Sequence, residues 1–330
     1  MDMMYLEAGL MLVAVFLLTV LIGRIMIPVL KGLKAGVRIL EIGPRWHKSK
    51  EGTPIMGGIC FILAMLISTL VLFLVALRRG EIYGLLPMAL TLVLAVGNGL
   101  IGFVDDFCKL FKKQNEGLLP WQKVVLQLLI GVLYLVFMIR FGGLTTVLYL
   151  PYLGIELELG IFYYALALVI ILGFVNSVNL TDGVDGLASG VTLVVGIFFA
   201  VAAHLISDRS LILTAACIIG GTLGFLVYNF HPARVFMGDT GSLFLGGIVV
   251  GAAFQLNNPL ILLVIGFIYL CEAASVILQV GYFKLTHGKR LFKMAPIHHH
   301  FEKCGWGENR IVFTFSGITL LFAVLALFGI

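Results

Sequence analysis

Long runs without a single Asp, Glu, Lys or Arg alternate along this chain with short polar breaks. Residues 52–77, 82–104, 159–181, 186–207, 210–233 and 311–330 carry none of the four. Residues 124–139 form a shorter uninterrupted run. Residues 240–283 hold one charge, Glu272, and are long enough for two helices that turn at Asn257-Asn258-Pro259. A tenth run, around residues 6–30, is interrupted by Arg24. A helix needs about 20 apolar residues to cross hydrocarbon. The pattern therefore predicts an all-α, polytopic integral membrane protein of about ten transmembrane helices. It reads as a single transmembrane domain over residues 1–330.

Composition strengthens that reading. Hydrophobic residues make up 61% and charged residues 12%, against about 45–50% and ~25% in soluble proteins. Asp2 and Glu7 precede the first apolar run, where a cleavable signal peptide would carry basic residues. The five cysteines are scattered and odd in number, which predicts neither a disulfide framework nor a metal set. The net charge of +5 is no sign of nucleic acid, because the basic residues lie between spans. They lie there unevenly. The loops after odd-numbered spans hold 17 Lys and Arg, and those after even-numbered spans hold four. The positive-inside rule then puts the odd-numbered loops in the cytoplasm and both termini outside.

Five of the seven aspartates fall in three of those basic loops: Asp105 and Asp106 in GFVDDFCK, Asp182 and Asp185 in NLTDGVDG, and Asp239 in FMGDTGS. A fourth motif, APIHHHFE, occupies the last such loop. Carboxylates beside a bilayer are costly and mark function by default. All four motifs share one membrane face, which predicts one assembled site near the cytoplasmic interface.

Each motif has a chemical and an ordinary explanation. Adjacent Asp105 and Asp106 cannot point the same way on a helix. Asp105 and Lys109, four apart, can pair across one turn; the ordinary explanation is a polar stop after a span. Gly183 and Gly186 beside Asp182 and Asp185 permit close approach to phosphate oxygens, with Asn179 and Thr181 adding neutral ligands; the alternative is a capped turn. Asp239 beside Gly238 suits Mg²⁺, which takes few protein ligands. Phe236 can stack on a base whose edge Asn229 reads, or simply anchor at the interface. His298, His299 and His300 match no zinc spacing, and a grip on phosphate or sugar is preferred. Glu272 and Gln279 lie on one helical face, lining a groove or joining helices.

Together these motifs resemble the polyprenyl-phosphate N-acetylhexosamine-1-phosphate transferases over essentially the whole chain. The histidine motif with Pro296 and Glu302 resembles their muramoyl-pentapeptide branch. One departure is Ile55 in GTPIMGG, where the family usually has Thr. The resemblance implies transfer of a phospho-sugar from UDP-N-acetylmuramoyl-pentapeptide to undecaprenyl phosphate, with Mg²⁺ as cofactor. It implies a homodimer in a bacterial cell membrane. Asp239 is the first choice as metal ligand and Asn179 the second. Asp105 would orient or deprotonate the acceptor phosphate, with Asp106 in support. Lys48, Gly183, Val184, Asp185, Asn229 and Phe236 would line the uridine pocket, and Thr53 would be a further substrate-binding residue. Asp182, Lys109, Lys123 and the three histidines would surround phosphates and sugar, and Gln279 would line the substrate groove.

Competing readings are the same chemistry on UDP-N-acetylglucosamine, a transporter with acidic ion ligands, and a CDP-alcohol phosphotransferase. The histidines argue against the first, the position of the acids at span ends against the second, and the missing signature against the third.

Overall fold

The computed structural model describes residues 2–33, 50, 52–112 and 117–330. Its chain order is α1 (Asp2–Gly32), α2 (Ile59–Arg79), α3 (Leu86–Lys112), α4 (Pro120–Phe141), a hairpin of β1 (Val147–Leu150) and β2 (Ile155–Glu158), then α5 (Ile161–Thr181), α6 (Leu187–Ile206) and α7 (Arg209–Asn229). There follow α8 (Gly238–Gln255), the short α9 (Leu262–Ile265), α10 (Phe267–Leu285), the short α11 (Ile297–Glu302) and α12 (Glu308–Leu327). Among the described residues, nine helices are long and apolar enough to cross a membrane. The protein is an all-α, multi-pass membrane protein.

The lipid-facing surface is written on α1. Leu6, Leu10, Val13, Leu17, Leu21, Ile25 and Val29 recur at helical spacing and are all exposed. In water such a stripe would drive aggregation; in a bilayer it meets acyl chains. The opposite face of α1 packs on α7, where Gly220 and Gly224 bring the two backbones together: a Cβ on Gly220 would lie 2.5 Å from the Leu12 carbonyl oxygen.

The eighth expected span, α8, is the exception to the hydropathy rule. It has the length, but its glycines and polar ends dilute its apolar content, and it is not among the nine. It needs no lipid-facing surface. Every residue from Thr240 to Gln255 is buried, with α3, α5, α6, α7 and α2 packed around it. Membrane helices gain little from the hydrophobic effect against each other and associate by close packing of small residues. Gly246 meets the backbone of Val175, Gly247 that of Ala95, and Gly241 that of Gly58.

Two features go beyond the helix pattern. The hairpin pairs Val147 with Glu158 and Leu150 with Ile155 in antiparallel register. The segment before α2 runs beside the segment before α8: Phe236 N donates to Pro54 O at 2.9 Å, and Gly57 N to Phe236 O at 2.8 Å. This strap fixes the start of α8, where the acids gather.

Candidate functional site

Helix α3 delivers two aspartates to α8, and the two diverge as adjacent helical residues must. Asp106 turns to the start of α8. Its Oδ2 accepts from Thr240 N at 2.9 Å and Thr240 Oγ1 at 2.7 Å. It thereby satisfies helix-end amides that α8 leaves without a partner. Gly238 sits against this carboxylate at φ +70°, a conformation that favours glycine. Asp105 turns the other way. Its Oδ2 lies 2.6 Å from Lys109 Nζ, the pairing expected across one turn, and 2.9 Å from Lys123 Nζ of α4. Both lysines also reach Asp239 Oδ2, at 3.3 and 2.7 Å. Two ammonium groups thus bridge two carboxylates from different helices.

Close backbone contact makes this possible. A Cβ on Gly102 would lie 2.1 Å from the carbonyl oxygen of Asp239. Asn179, from the end of α5, donates through Nδ2 to Asp239 Oδ1 at 3.0 Å and to Ser242 Oγ at 2.7 Å. That contact orients the carboxylate; for Asn179 to be a metal ligand, its amide would have to turn over. Asp105, Asp106 and Asp239 each offer an oxygen within 4.8 Å of the others. Three carboxylates against two ammonium groups leave one negative charge uncompensated. Hard oxygen donors with surplus charge are a set that a divalent cation fits.

A second cluster lies at the α5–α6 loop. Asp185 receives Lys50 Nζ at 2.6 Å, His231 Nδ1 at 3.0 Å and Ala233 N at 3.0 Å. Burial raises the pKa of its carboxyl, but Lys50, the Ala233 amide and His231 outweigh burial and hold it below the ordinary carboxylate range. Asp182 behaves oppositely. Burial, reinforced by the charges of Asp239, Asp106 and Asp185, pushes it up to about 8. It is thus mostly neutral at pH 7. Gly183 lies against His298: a Cβ there would be 2.1 Å from His298 Nε2. The four motifs therefore meet at one end of the bundle.

Other residues fall differently. The three histidines do not converge, because successive positions on α11 point about 100° apart. His298 is buried with Nδ1 on Glu272 at 3.0 Å, His299 meets Glu302, and His300 accepts from Lys293 N at 3.1 Å. Asn229 is buried and holds loops together, accepting from Gly186 N and donating to Val235 O. Gln279 clasps the backbone of Leu291 and Phe292. The Glu272–Gln279 stripe thus ties α10 to the following loop. Val184 is buried; Thr53 and Phe236 are partly buried. Lys48 lies outside the described residues; Lys50 stands 5.8 Å from the Phe236 ring. The sequence reading passed over Lys50, His231 and Glu308 as site residues. His231 could have been found in NFHPAR beside Asn229; nothing local signals a contact between Lys50 and Glu308.

A bundle of lipid-exposed helices with a carboxylate–lysine centre at one end defines a multi-pass membrane protein with a polar site at the end of its bundle. The glycosyl transferase family 4 matches residues 87–257, which carry α3 to α8. Over 316 residues the chain is 44% identical to the phospho-N-acetylmuramoyl-pentapeptide-transferase of Clostridioides difficile (strain 630), covering 96% of this chain and 95% of that protein. It is 45% identical over 311 residues to the protein of that name from Clostridium perfringens (strain SM101 / Type A), covering 94% and 93%. The corresponding protein of Caldicellulosiruptor bescii is 42% identical over 325 residues, covering 98% of each chain. The chain belongs to the phospho-N-acetylmuramoyl-pentapeptide-transferase family, and it is a membrane-embedded transferase.

Proposed function

We propose that this protein transfers phospho-N-acetylmuramoyl-pentapeptide from its UDP-linked donor to undecaprenyl phosphate, releasing UMP, on the cytoplasmic face of a bacterial cell membrane. The observation that carries the reading is the centre in which Lys109 and Lys123 bridge Asp105 and Asp239 beside Asp106. In the reaction an oxygen of the lipid phosphate attacks the sugar-bearing phosphorus of the donor. The bond from that phosphorus to the bridging oxygen breaks, and UMP departs with the bridging oxygen. A pyrophosphate link is exchanged for another, so positioning and charge compensation dominate.

Asp105 is the group that takes a proton from, or orients, the acceptor phosphate, whose second pKa is about 6. It is buried behind Lys109 and Lys123, which must part from it before a headgroup can reach it. Lys109 and Lys123 are mobile cations that exchange their carboxylate partners for phosphate oxygens as substrates enter. Asp182, neutral before binding, offers a hydrogen-bond donor that an ionised neighbour cannot. Asp239 with Asp105 or Asp106 would hold a Mg²⁺ ion, with Asn179 fixing or joining the set. When bound, that ion supplies charge neutralisation of the diphosphate. The loop of Gly183, Val184 and Asp185 with Phe236 would receive the uridine. The whole chain acts as one catalytic unit, and a homodimer is the expected assembly.

The test is a product assay on the purified protein with undecaprenyl phosphate and either of two donors. UMP release and a lipid-linked product are expected from UDP-N-acetylmuramoyl-pentapeptide and not from UDP-N-acetylglucosamine. Equal use of both donors would overturn the assignment of the sugar, and use of neither would overturn the reaction. Exchange of labelled UMP into the donor without lipid acceptor would show a covalent phospho-enzyme; its absence in an active preparation leaves direct attack.

A further inference from the structure

The first turn of α12 brings Glu308 to the loop that carries Asp185. Glu308 Oε2 accepts from the backbone N of Asp185 at 3.0 Å and from Lys50 Nζ at 2.7 Å. Its Oε1 lies 3.5 Å from His231 Nδ1. Lys50 is thus shared between Asp185 and Glu308, and His231 faces both. One side chain joins three segments remote in sequence: the stretch before α2, the α5–α6 loop and the α7–α8 loop. An acid in a first helical turn is ordinary, since it complements the helix dipole. That explanation requires only that Glu308 stay near its own amides. Here it reaches instead to another segment's amide and to a lysine, and it lies beside a second carboxylate, an arrangement that costs energy unless the shared cation is held in place. Lys50 and Glu308 both lie outside the segment 87–257 matched by the glycosyl transferase family 4. The clasp therefore fastens the shared catalytic core to the two ends of the chain.

We infer that Glu308 is a positioning residue for the nucleotide end of the donor: it fixes the Asp182–Gly186 loop and Lys50 in the geometry that receives the UDP group. The inference rests on the proposed reaction for its substrate, and it concerns binding rather than bond breaking. Glu308 touches neither the Asp105–Asp239 centre nor the lysines that bridge it in the contacts described. Loss of Glu308 releases the Asp185 amide and leaves Lys50 with one acid. Donor affinity falls, while the lipid acceptor and the chemical step are affected less.

The experiment compares wild type, Glu308→Ala and Glu308→Gln in detergent. It measures UDP binding by calorimetry, the KM of donor and of lipid acceptor, kcat, and Tm. Glu308→Ala is expected to weaken UDP binding and raise the donor KM by about tenfold, the effect of losing hydrogen bonds to a charged group. The KM of the acceptor should change little. Glu308→Gln keeps an oxygen that can accept from the Asp185 amide and should recover part of the loss. Unchanged UDP affinity in Glu308→Ala overturns the inference. So does a parallel change in both KM values with a large fall in Tm, which would mark a merely structural role of α12. If wild type binds UDP but makes no lipid-linked product, the proposed reaction fails while the UDP titration still decides the role of Glu308.

Discussion

The two ends of the bundle each carry two acids bridged by two bases, and they differ in what is left over. At the end opposite the site, Glu7 meets Arg79 at 3.1 Å and Arg209 at 2.8 Å, and Arg209 meets Glu81 at 2.8 Å. Helix α2 leads from one end to the other, since Gly58 packs on Gly241 at its start and Arg79 joins the far cluster at its end. Its 21 residues span roughly 30 Å, about the hydrocarbon thickness. The far cluster is balanced, and Arg79 and Glu81 are nearly half exposed, with Glu7 and Arg209 partly buried. It pins helix ends. The near cluster has a third carboxylate, Asp106, and Asp105 is almost wholly buried. Its bases are lysines, compact cations on flexible stems, rather than arginines with their fixed fork. A balanced cluster is complete in itself, whereas one that holds two buried carboxylates and a surplus negative charge calls for a further cation.

The sharpest way to break this contrast is to make the near cluster balanced too. Asp239→Asn leaves two carboxylates against Lys109 and Lys123. The fold should persist, UMP release should fall by roughly 10²–10³-fold, in the range for loss of one preorganised electrostatic group, and stimulation by Mg²⁺ should disappear. Full Mg²⁺-dependent activity in that variant would mean that Asp239 is not the metal ligand. Next in size is Gly102→Ala. Its new methyl meets the Asp239 carbonyl oxygen, a backbone atom that cannot rotate away. Separating α3 from α8 costs about 1–3 kcal/mol and displaces Asp239 from Asp105, so Tm and activity should fall together. A variant with normal activity would show that the acids tolerate a wider gap.

The near cluster was the more legible of the two in sequence. Five aspartates in Gly- and Thr-containing loops are improbable in so apolar a chain, and loop parity placed them on one face. The Asp105–Lys109 pair followed from helical spacing. What the sequence did not reveal was each polar group's choice of partner, because that depends on which helices abut. Asn229 reads as a group facing a base, and Gln279 as one lining a groove or joining helices; in the structure both hydrogen-bond to backbone in loops. Asp106 read as a companion of Asp105, yet it caps α8. Glu308 and Lys50 are too distant in sequence for any local pattern to join them. The low apolar content of α8 was likewise explained only by its place at the centre, where glycine contacts replace lipid.

A smaller effect separates the two acids of the nucleotide loop. Asp182 is held up to about 8 by burial and by neighbouring acids, above its unfolded value of 3.8. Its contribution to stability is therefore fully present below pH 4 and is lost as pH rises through 8. Thermal melting of the ligand-free, Mg²⁺-free protein should thus fall by a few degrees between pH 6 and 9, and Asp182→Asn should flatten that slope. Asp185, held low by Lys50, works in the opposite sense: its contribution is fully present throughout that window and adds nothing to the slope. An identical slope in the variant would mean that Asp182 is already ionised in the folded protein.

The smallest expected effect tests the far end. Arg209→Ala breaks contacts with Glu7 and Glu81 together. The pairs are partly exposed, so Coulomb attraction is partly screened and ordering long side chains offsets much of the gain, and the cost should be about 1 kcal/mol. Donor and acceptor KM values and kcat should match wild type, because the disturbance sits a membrane thickness from the bridged aspartates and α1 and α2 remain packed on the glycines of α7. Raising the salt should erase the difference in Tm for this variant, since screening removes what little the pairs supply. It should leave Asp239→Asn as impaired as before. An Arg209→Ala protein that lost activity while keeping its Tm would mean that charge at the far end is coupled to the site, and the two clusters would then have to be treated as one system rather than two.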